Sequence, residues 1–298
     1  MMKVLCVGHI AYDIALSLED YPLENTRNKV VAVNESGGGC SATAACLLGK
    51  WGEQSYICGV VGYDAYSDKI KKEFNEFKVK TDYLETNYET KTALTYILLN
   101  KKRATRTILS QESNLPPLKK TDYNIAADMI MLDGHEYEAS LNILKNMPNA
   151  LSMIDAGRVN KHVLDLCTKV NFIVCSKEFA EEVSGIKYTD NASLSKIYLN
   201  LKSRFAKQEI VITLEDKGAI YSFENQIKLL PALKVTVADS TGAGDIFHGA
   251  FCYQYLKTRN VENAVKFANI AAGLSLSKVG TKSSIPQLSE VEKYYAQV

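Results

Sequence analysis

The chain has 298 residues, 46% hydrophobic and 23% charged, and its 35 Lys plus Arg nearly balance 34 Asp plus Glu for a formal net charge of +1. Such a chain buries a core of its own, and a charge this close to neutral supplies neither a basic face for nucleic acid nor a polybasic patch for a membrane. The seven cysteines are odd in number, form no Cys-x-x-Cys pair and fall mostly in apolar runs, which reads as buried free thiols in a reducing compartment. The stretch from Met1 to Gly8 lacks a signal peptide's long apolar core, and no window reaches the apolar length of a membrane span, so a cytoplasmic protein is expected.

Val4 to Gly8 is a compact apolar run closed by glycine, the pattern of a buried parallel strand whose carboxyl end opens on a ligand crevice. Asp13 follows, either as a solvated turn residue or as a carboxylate facing a ligand. Ala15–Leu18 and Val30–Val33 are β-leaning pieces too short and polar for a large central sheet, and they suit a small peripheral one. Gly37, Gly38 and Gly39 stand ahead of a small-residue helical pattern over 42–52, where glycines let a ligand approach the backbone.

Ser55 to Gly62 reads as a second buried strand, and Asp64 to Lys78 as a helix with Tyr66, Ile70, Phe74 and Phe77 on its core side. Thr92–Leu99 and Arg106–Ser110 flank Asn100 to Arg103 in a hairpin pattern that extends either the small sheet or the edge of the large one. Its basic tip, Lys101, Lys102, Arg103 and Arg106, is a solvated turn or a place for a phosphate carried by the substrate. Four apolar runs, Met129–Asp133, Leu151–Asp155, Phe172–Cys175 and Ile210–Thr213, alternate with helical stretches, a pattern that calls for a parallel sheet with helices on both faces. Asp133 and Asp155 fall at the carboxyl ends of these strands, where such sheets bind ligands, whereas His135 has no metal partner and reads as a loop residue. Ala219–Phe223 and Ile227–Leu230 form a further hairpin pattern, and Val261–Ser277 a helix followed by a glycine-containing loop over 278–286.

Asp239-Ser240-Thr241-Gly242-Ala243-Gly244-Asp245 precedes the apolar run Ile246–Phe251. Two glycines and an alanine leave backbone N–H groups free to turn toward one point at the positive end of a helix. Taken alone, the string is either a helix start with Asp245 as a first-turn dipole partner, or an anion cradle beside a carboxylate that accepts the proton of an attacking hydroxyl. No Gly-x-x-x-x-Gly-Lys-Ser/Thr string occurs, and position 247 is Phe where a dinucleotide fingerprint needs its third glycine. The four histidines are too scattered for a zinc site.

The same string, with Phe247 and Gly249 behind it, closely resembles the C-terminal signature of the ribokinase-like carbohydrate kinases, the phosphofructokinase B-type family. The glycine triplet and its small-residue helix ending at Leu48-Gly49 are similar to that family's N-terminal signature. The resemblance spans essentially the whole chain and implies one α/β ribokinase-like kinase domain over 1–298, with a mostly parallel central sheet, helices on both faces, and a small β-sheet lid whose strands lie within about 12–36 and 90–110. It implies an ATP-dependent kinase acting on a hydroxyl of a small sugar or sugar-like substrate. A nucleoside or a sugar phosphate is the alternative acceptor, and a non-catalytic sugar-binding regulatory protein is the alternative of another kind.

By this resemblance Asp245 is the catalytic base, and the amides of Gly242, Ala243 and Gly244 form the anion hole. Asp13, Gly38, Gly39, Thr43 and Asp133 meet the acceptor, with Thr43 standing where the family usually has Asn, which leaves the acceptor's identity open. Ser176, Thr213, Gly218, Gly244 and Asn269 border the nucleotide. Asp239, Thr241, Gly280 and Ser284 match a monovalent-cation site suited to K+. Mg2+ would fall to Glu178 or Glu181 with a shifted geometry, because Ser176 and Phe179 replace the Asn and Glu of the family's Asn-x-x-Glu segment. Lid strands in relatives often pair across a homodimer.

Overall fold

The computed structural model describes residues 1–103, 105–111, 113–119 and 122–297. The chain runs through β1 (Lys3–Val7), β2 (Ala11–Leu18), β3 (Ala32–Gly38), α1 (Cys40–Lys50), β4 (Gln54–Gly62), α2 (Ala65–Glu76) and β5 (Lys80–Asn87). There follow β6 (Ala93–Asn100), β7 (Thr105–Gln111), β8 (Met129–Leu132), α3 (Tyr137–Asn146), β9 (Leu151–Ala156), α4 (Lys161–Cys167), β10 (Phe172–Ser176), α5 (Lys177–Ser184) and α6 (Asn191–Arg204). The last part comprises β11 (Glu209–Thr213), β12 (Ala219–Phe223), β13 (Gln226–Leu230), α7 (Ala243–Thr258), α8 (Val261–Ser275) and α9 (Leu288–Tyr295).

The large sheet has the order β13-β12-β11-β10-β9-β8-β1-β4-β5. It is parallel from β11 to β5 and ends in the antiparallel β12–β13 hairpin at one edge. Successive residues of β1 serve opposite faces: Val4 and Cys6 pack in the core shared with α1, α7 and α8, while Leu5 and Val7 pack in the core shared with α3 to α6. Burial on both sides is why the central strands are continuous apolar runs in the sequence. Strand β5 has no such signal. It is the outer parallel strand, only its Tyr83 is buried, and its polar sequence carried no strand expectation.

The small sheet has the order β3-β2-β6-β7. Strand β3 reaches farther than the Val30–Val33 expectation, because Gly37 and Gly38 pair with Tyr12 and Ala11 as strand residues. The basic turn after β6 is paired locally: Lys101 pairs with Glu19, and Lys102 and Arg103 share Asp20. Arg106, expected with that tip, lies instead inside β7.

Strand order reverses about β1, so the carboxyl ends of β1, β8 and β9 open one crevice. Helices α1 and α7 pack closely on one face, where a Cβ at Gly249 would stand 3.1 Å from Ala44 Cα. A branched side chain there pushes the two helices apart. Gly249→Val is expected to cost about 1–3 kcal/mol by overpacking, measured as a lower urea midpoint at unchanged slope.

Candidate active site

Helix α7 starts from Gly242, whose φ of 78° is left-handed and favours glycine, and among the described residues no side chain caps it. Its first amides are therefore free to meet a ligand anion at the positive end of the helix. A Cβ at Gly244 would meet nothing within 4 Å, so the turn faces open space. The preceding loop is closed by Asp239, whose Oδ1 accepts the Thr241 N–H at 2.9 Å and whose Oδ2 accepts the Gly280 N–H at 3.0 Å. Thr241 Oγ1 is buried with no hydrogen-bond partner. Ser284 Oγ donates to Thr281 O at 3.0 Å and so shapes the facing loop.

Asp245 lies in the first turn of α7 beside Asp155 of β9 and Cys40, the first residue of α1. One ligand atom from each of these three falls within 4.8 Å of the others, and the Cys40 thiol makes hydrogen-bond contact with both carboxyls. Burial pushes Asp245 up to about 6, with the Asp155 carboxylate reinforcing the shift and Cys40, His248 and Lys282 opposing it. Burial also raises Asp155 and the Cys40 thiol. A thiol is a poor ligand for magnesium, which takes oxygen, so the trio is better described as a thiol-bridged carboxyl pair than as a magnesium site. Behind it His248, one turn after Asp245, places Nδ1 2.6 Å from Gly244 O and Nε2 3.4 Å from Asp155 Oδ1, which ties α7 to β9.

Asp13, on β2, is pushed by burial up to about 6, with Lys282 opposing and Asp245 reinforcing the shift. A Cβ at Gly38 would lie 2.3 Å from the Asp13 carboxylate, and one at Gly39 would lie 2.1 Å from His9 O. Gly39 has φ 101° and begins α1, so backbone approaches backbone where the two sheets meet. Thr43 lies wholly inside, its Oγ1 accepting from Lys282 Nζ at 3.0 Å, so the α1 side chain beside Asp245 is Cys40 rather than Thr43. Lys282 is only 3% exposed, and its charge acts on Asp13, Glu73 and Asp245 alike. Asp133 accepts from the His9 amide at 2.8 Å, the His135 amide at 3.0 Å and Ser41 Oγ at 3.1 Å, so most of its accepting capacity is spent inside the protein.

The remaining expected residues are placed as follows. Ser176 caps α5 by accepting the Phe179 N–H at 3.2 Å, and Thr213 Oγ1 donates to Cys175 O at 3.2 Å at the ends of paired strands β10 and β11. Gly218 packs so tightly that a Cβ would reach 1.9 Å from Leu230 O. Asn269 spends its amide on Pro231 O at 2.9 Å. Glu178 is ion-paired with Lys177 at 3.2 Å on an exposed turn. Glu181 is held by Lys187 Nζ at 2.7 Å and the Tyr188 N–H at 2.9 Å, while Phe179 fills the core. Glu181 is thus spent inside the protein, while Glu178 stays exposed with a surface ion pair. From the small sheet, Arg106 Nη1 donates to Ser240 Oγ at 2.5 Å and links β7 to the signature loop.

The structure therefore gathers Asp13, Cys40, Asp155, Asp245 and Lys282 into one electrostatic unit. Cys40, His248 and Lys282 carried no functional expectation. Their signals were weak: a cysteine directly after three glycines, a histidine one turn after the signature aspartate, and a lysine between two small-residue loop positions. The sequence over residues 1–288 matches the pfkB family carbohydrate kinases. The chain belongs to that family. It is 25% identical to the ribokinase of Staphylococcus aureus (strain COL) over 98% of this chain and 99% of the relative. Among solved structures, Arabidopsis thaliana ribokinase complexed with ribose and ATP superposes with a TM-score of 0.83 at 19% identity, covering 99% of both chains. Methanocaldococcus jannaschii nucleoside kinase superposes with a TM-score of 0.81 at 20% identity, covering 100% of this chain and 99% of the other. The ribokinase-like fold is thus common to kinases of sugars and of nucleosides.

A carboxyl whose folded pKa, about 6, lies above its ordinary 3.8 favours the fold fully only when protonated, and that contribution is lost as pH rises through about 6. Asp245→Asn removes the ionisable group. The variant is expected to gain stability relative to the wild type as pH rises from about 4 to above about 6 and to hold that advantage at higher pH, read from urea unfolding of both proteins across the range.

Proposed function

We propose that the chain transfers the terminal phosphoryl group of ATP to a hydroxyl of a small sugar or sugar-like acceptor. The observation that carries this reading is a half-buried carboxyl, Asp245, in the first turn of a helix whose N-terminal glycine turn is uncapped and open. Asp13 and the backbone at Gly38 and Gly39 orient the acceptor, a carboxylate being able to accept from two neighbouring hydroxyls. Asp245 takes the proton from the attacking hydroxyl, a role suited to a group poised near neutral pH. The amides of Gly242, Ala243 and Gly244 donate to the phosphoryl oxygens as negative charge shifts, and the α7 dipole acts in the same sense. The small sheet, joined to the signature loop through Arg106, closes over the acceptor and keeps water from competing with it.

Bound ATP supplies the phosphoryl group, and Mg2+ arriving with it neutralises phosphate charge. Glu181 is engaged and Glu178 sits exposed on the first turn of α5, so phosphate and water oxygens would supply most of that ion's ligands. The orphaned Thr241 hydroxyl, the Asp239 carboxylate and the loop from Gly280 to Ser284 offer oxygens that fit a weakly held cation, and we assign K+ there.

Asp245→Asn is expected to lower kcat by about 10²–10⁴ while ATP binding, followed by calorimetry, persists. Wild-type kcat/KM is expected to fall as pH drops below about 6, because Asp13 and Asp245 must both be ionised and titrate as an interacting pair; a rate flat from pH 5 to 8 would contradict the assignment. Thr241→Val is expected to abolish stimulation of kcat by potassium chloride relative to a tetramethylammonium control.

A further inference from the structure

A cavity of about 190 Å³ lies at the carboxyl ends of the neighbouring strands β8, β1 and β4. His9, Val60, Leu115, Pro116, Pro117 and His135 line it. It adjoins the acceptor side of the crevice: His9 O packs against Gly39, and Asp133 accepts the amides of both His9 and His135. An acceptor held at Asp13 and Gly39 therefore has a built space beside it, separate from the cradle of α7.

The lining tells what that space takes. Val60, Leu115 and the two prolines give apolar walls that suit the faces of a ring, while His9, His135 and Glu136 make the rest of the lining polar. The imidazoles of His9 and His135 stand with centroids 4.5 Å apart at an angle of 48°, presenting ring edges and a polarisable surface. Burial holds His9 below the usual histidine range, with His135 and Arg158 adding to the shift and Asp133 opposing it. A neutral imidazole offers one donor and one acceptor, which matches the mixed edge of a heteroaromatic ring. Glu136 also lines the cavity, its Oε2 accepting the Leu118 N–H at 2.8 Å and so anchoring the proline segment. A carboxyl group in the lining disfavours phosphate or sulfonate.

We propose that this cavity is the second subsite of the acceptor, that it takes an uncharged planar heteroaromatic ring, and that the acceptor is accordingly a nucleoside rather than a free sugar or a sugar phosphate. The proposal rests on the phosphoryl-transfer reading above and narrows its acceptor to a sugar carried within a nucleoside.

The test measures ADP release with ATP, magnesium and potassium for adenosine, guanosine, cytidine and uridine against ribose, fructose and ribose 5-phosphate. At least one nucleoside is expected to exceed ribose in kcat/KM by a hundredfold or more. His135→Trp, which fills the cavity, is expected to lower nucleoside kcat/KM at least tenfold more than it lowers that for ribose. Val60→Phe fills the same space from β4 should the first variant fail to fold. A free sugar or ribose 5-phosphate outperforming all four nucleosides, or a folded cavity-filling variant that lowers every acceptor equally, overturns the subsite while leaving the kinase reading standing. Calorimetry on the Asp245→Asn protein with the same nucleosides separates the two claims. Nucleoside binding without wild-type turnover supports the subsite and overturns the kinase reading, and absence of nucleoside binding overturns the subsite.

Discussion

Asp155 is buried and Asp245 half-buried against the thiol of Cys40, and among the described residues neither forms an ion pair with a lysine or arginine. Two carboxyl groups so placed lose hydration and repel each other when ionised, so their proximity opposes folding and must be imposed by the surrounding framework. That framework is the close contact of α1 with α7 at Gly249, the parallel pairing that fixes the end of β9, and the His248 contacts that tie α7 to β9. Lys282 provides partial relief from the centre of the group without contacting any one carboxylate at ion-pair distance among the described residues. The outcome is a carboxyl pushed up to about 6 rather than near 4, which suits the proposed role of base.

Function and stability are therefore opposed at this position. A neutral amide at 245 satisfies the packing better than the carboxylate does, and only the carboxylate can take a proton. The same trade appears at Asp13, which is buried against Gly38 where a side chain would collide with it. Segments far apart in sequence contribute to the unit, from β2, α1, β9, α7 and the loop after α8, and the parallel sheet brings their ends to one edge. Both cores of the sheet thereby support a site that neither could form alone.

The parallel strands were legible because each is buried on both faces and so reads as an uninterrupted apolar run, and the signature over 239–245 was legible because its glycines and aspartates have few other uses in that order. Strand β5 was not, since an outer strand with one buried side chain has a polar sequence that periodicity cannot distinguish from a loop. The expected base and cradle are neighbours in sequence. Cys40 and Lys282 carried no such expectation, because they meet Asp245 only through tertiary contact and a lysine in a loop gives no hint that folding will bury it, while Asp155 was expected only at the ligand-binding end of its strand. Thr43 was expected at the acceptor because it holds the position of the family's Asn, whereas the turn of α1 puts its hydroxyl under Lys282 and presents the first residue of the helix, Cys40, to Asp245. Arg106 was grouped with a charged turn that proves to be paired with Glu19 and Asp20, and strand β7 carries it to Ser240 instead.

The central claim is that Asp245 and its cradle direct phosphoryl transfer to an acceptor hydroxyl rather than to water. Phosphorus NMR of the wild-type protein with ATP, magnesium, potassium and a mixture of sugars and nucleosides tests this most directly. The account predicts a new phosphomonoester resonance that grows in step with ADP, with little inorganic phosphate. Inorganic phosphate growing in step with ADP, with no ester signal in the presence of every acceptor, would contradict it.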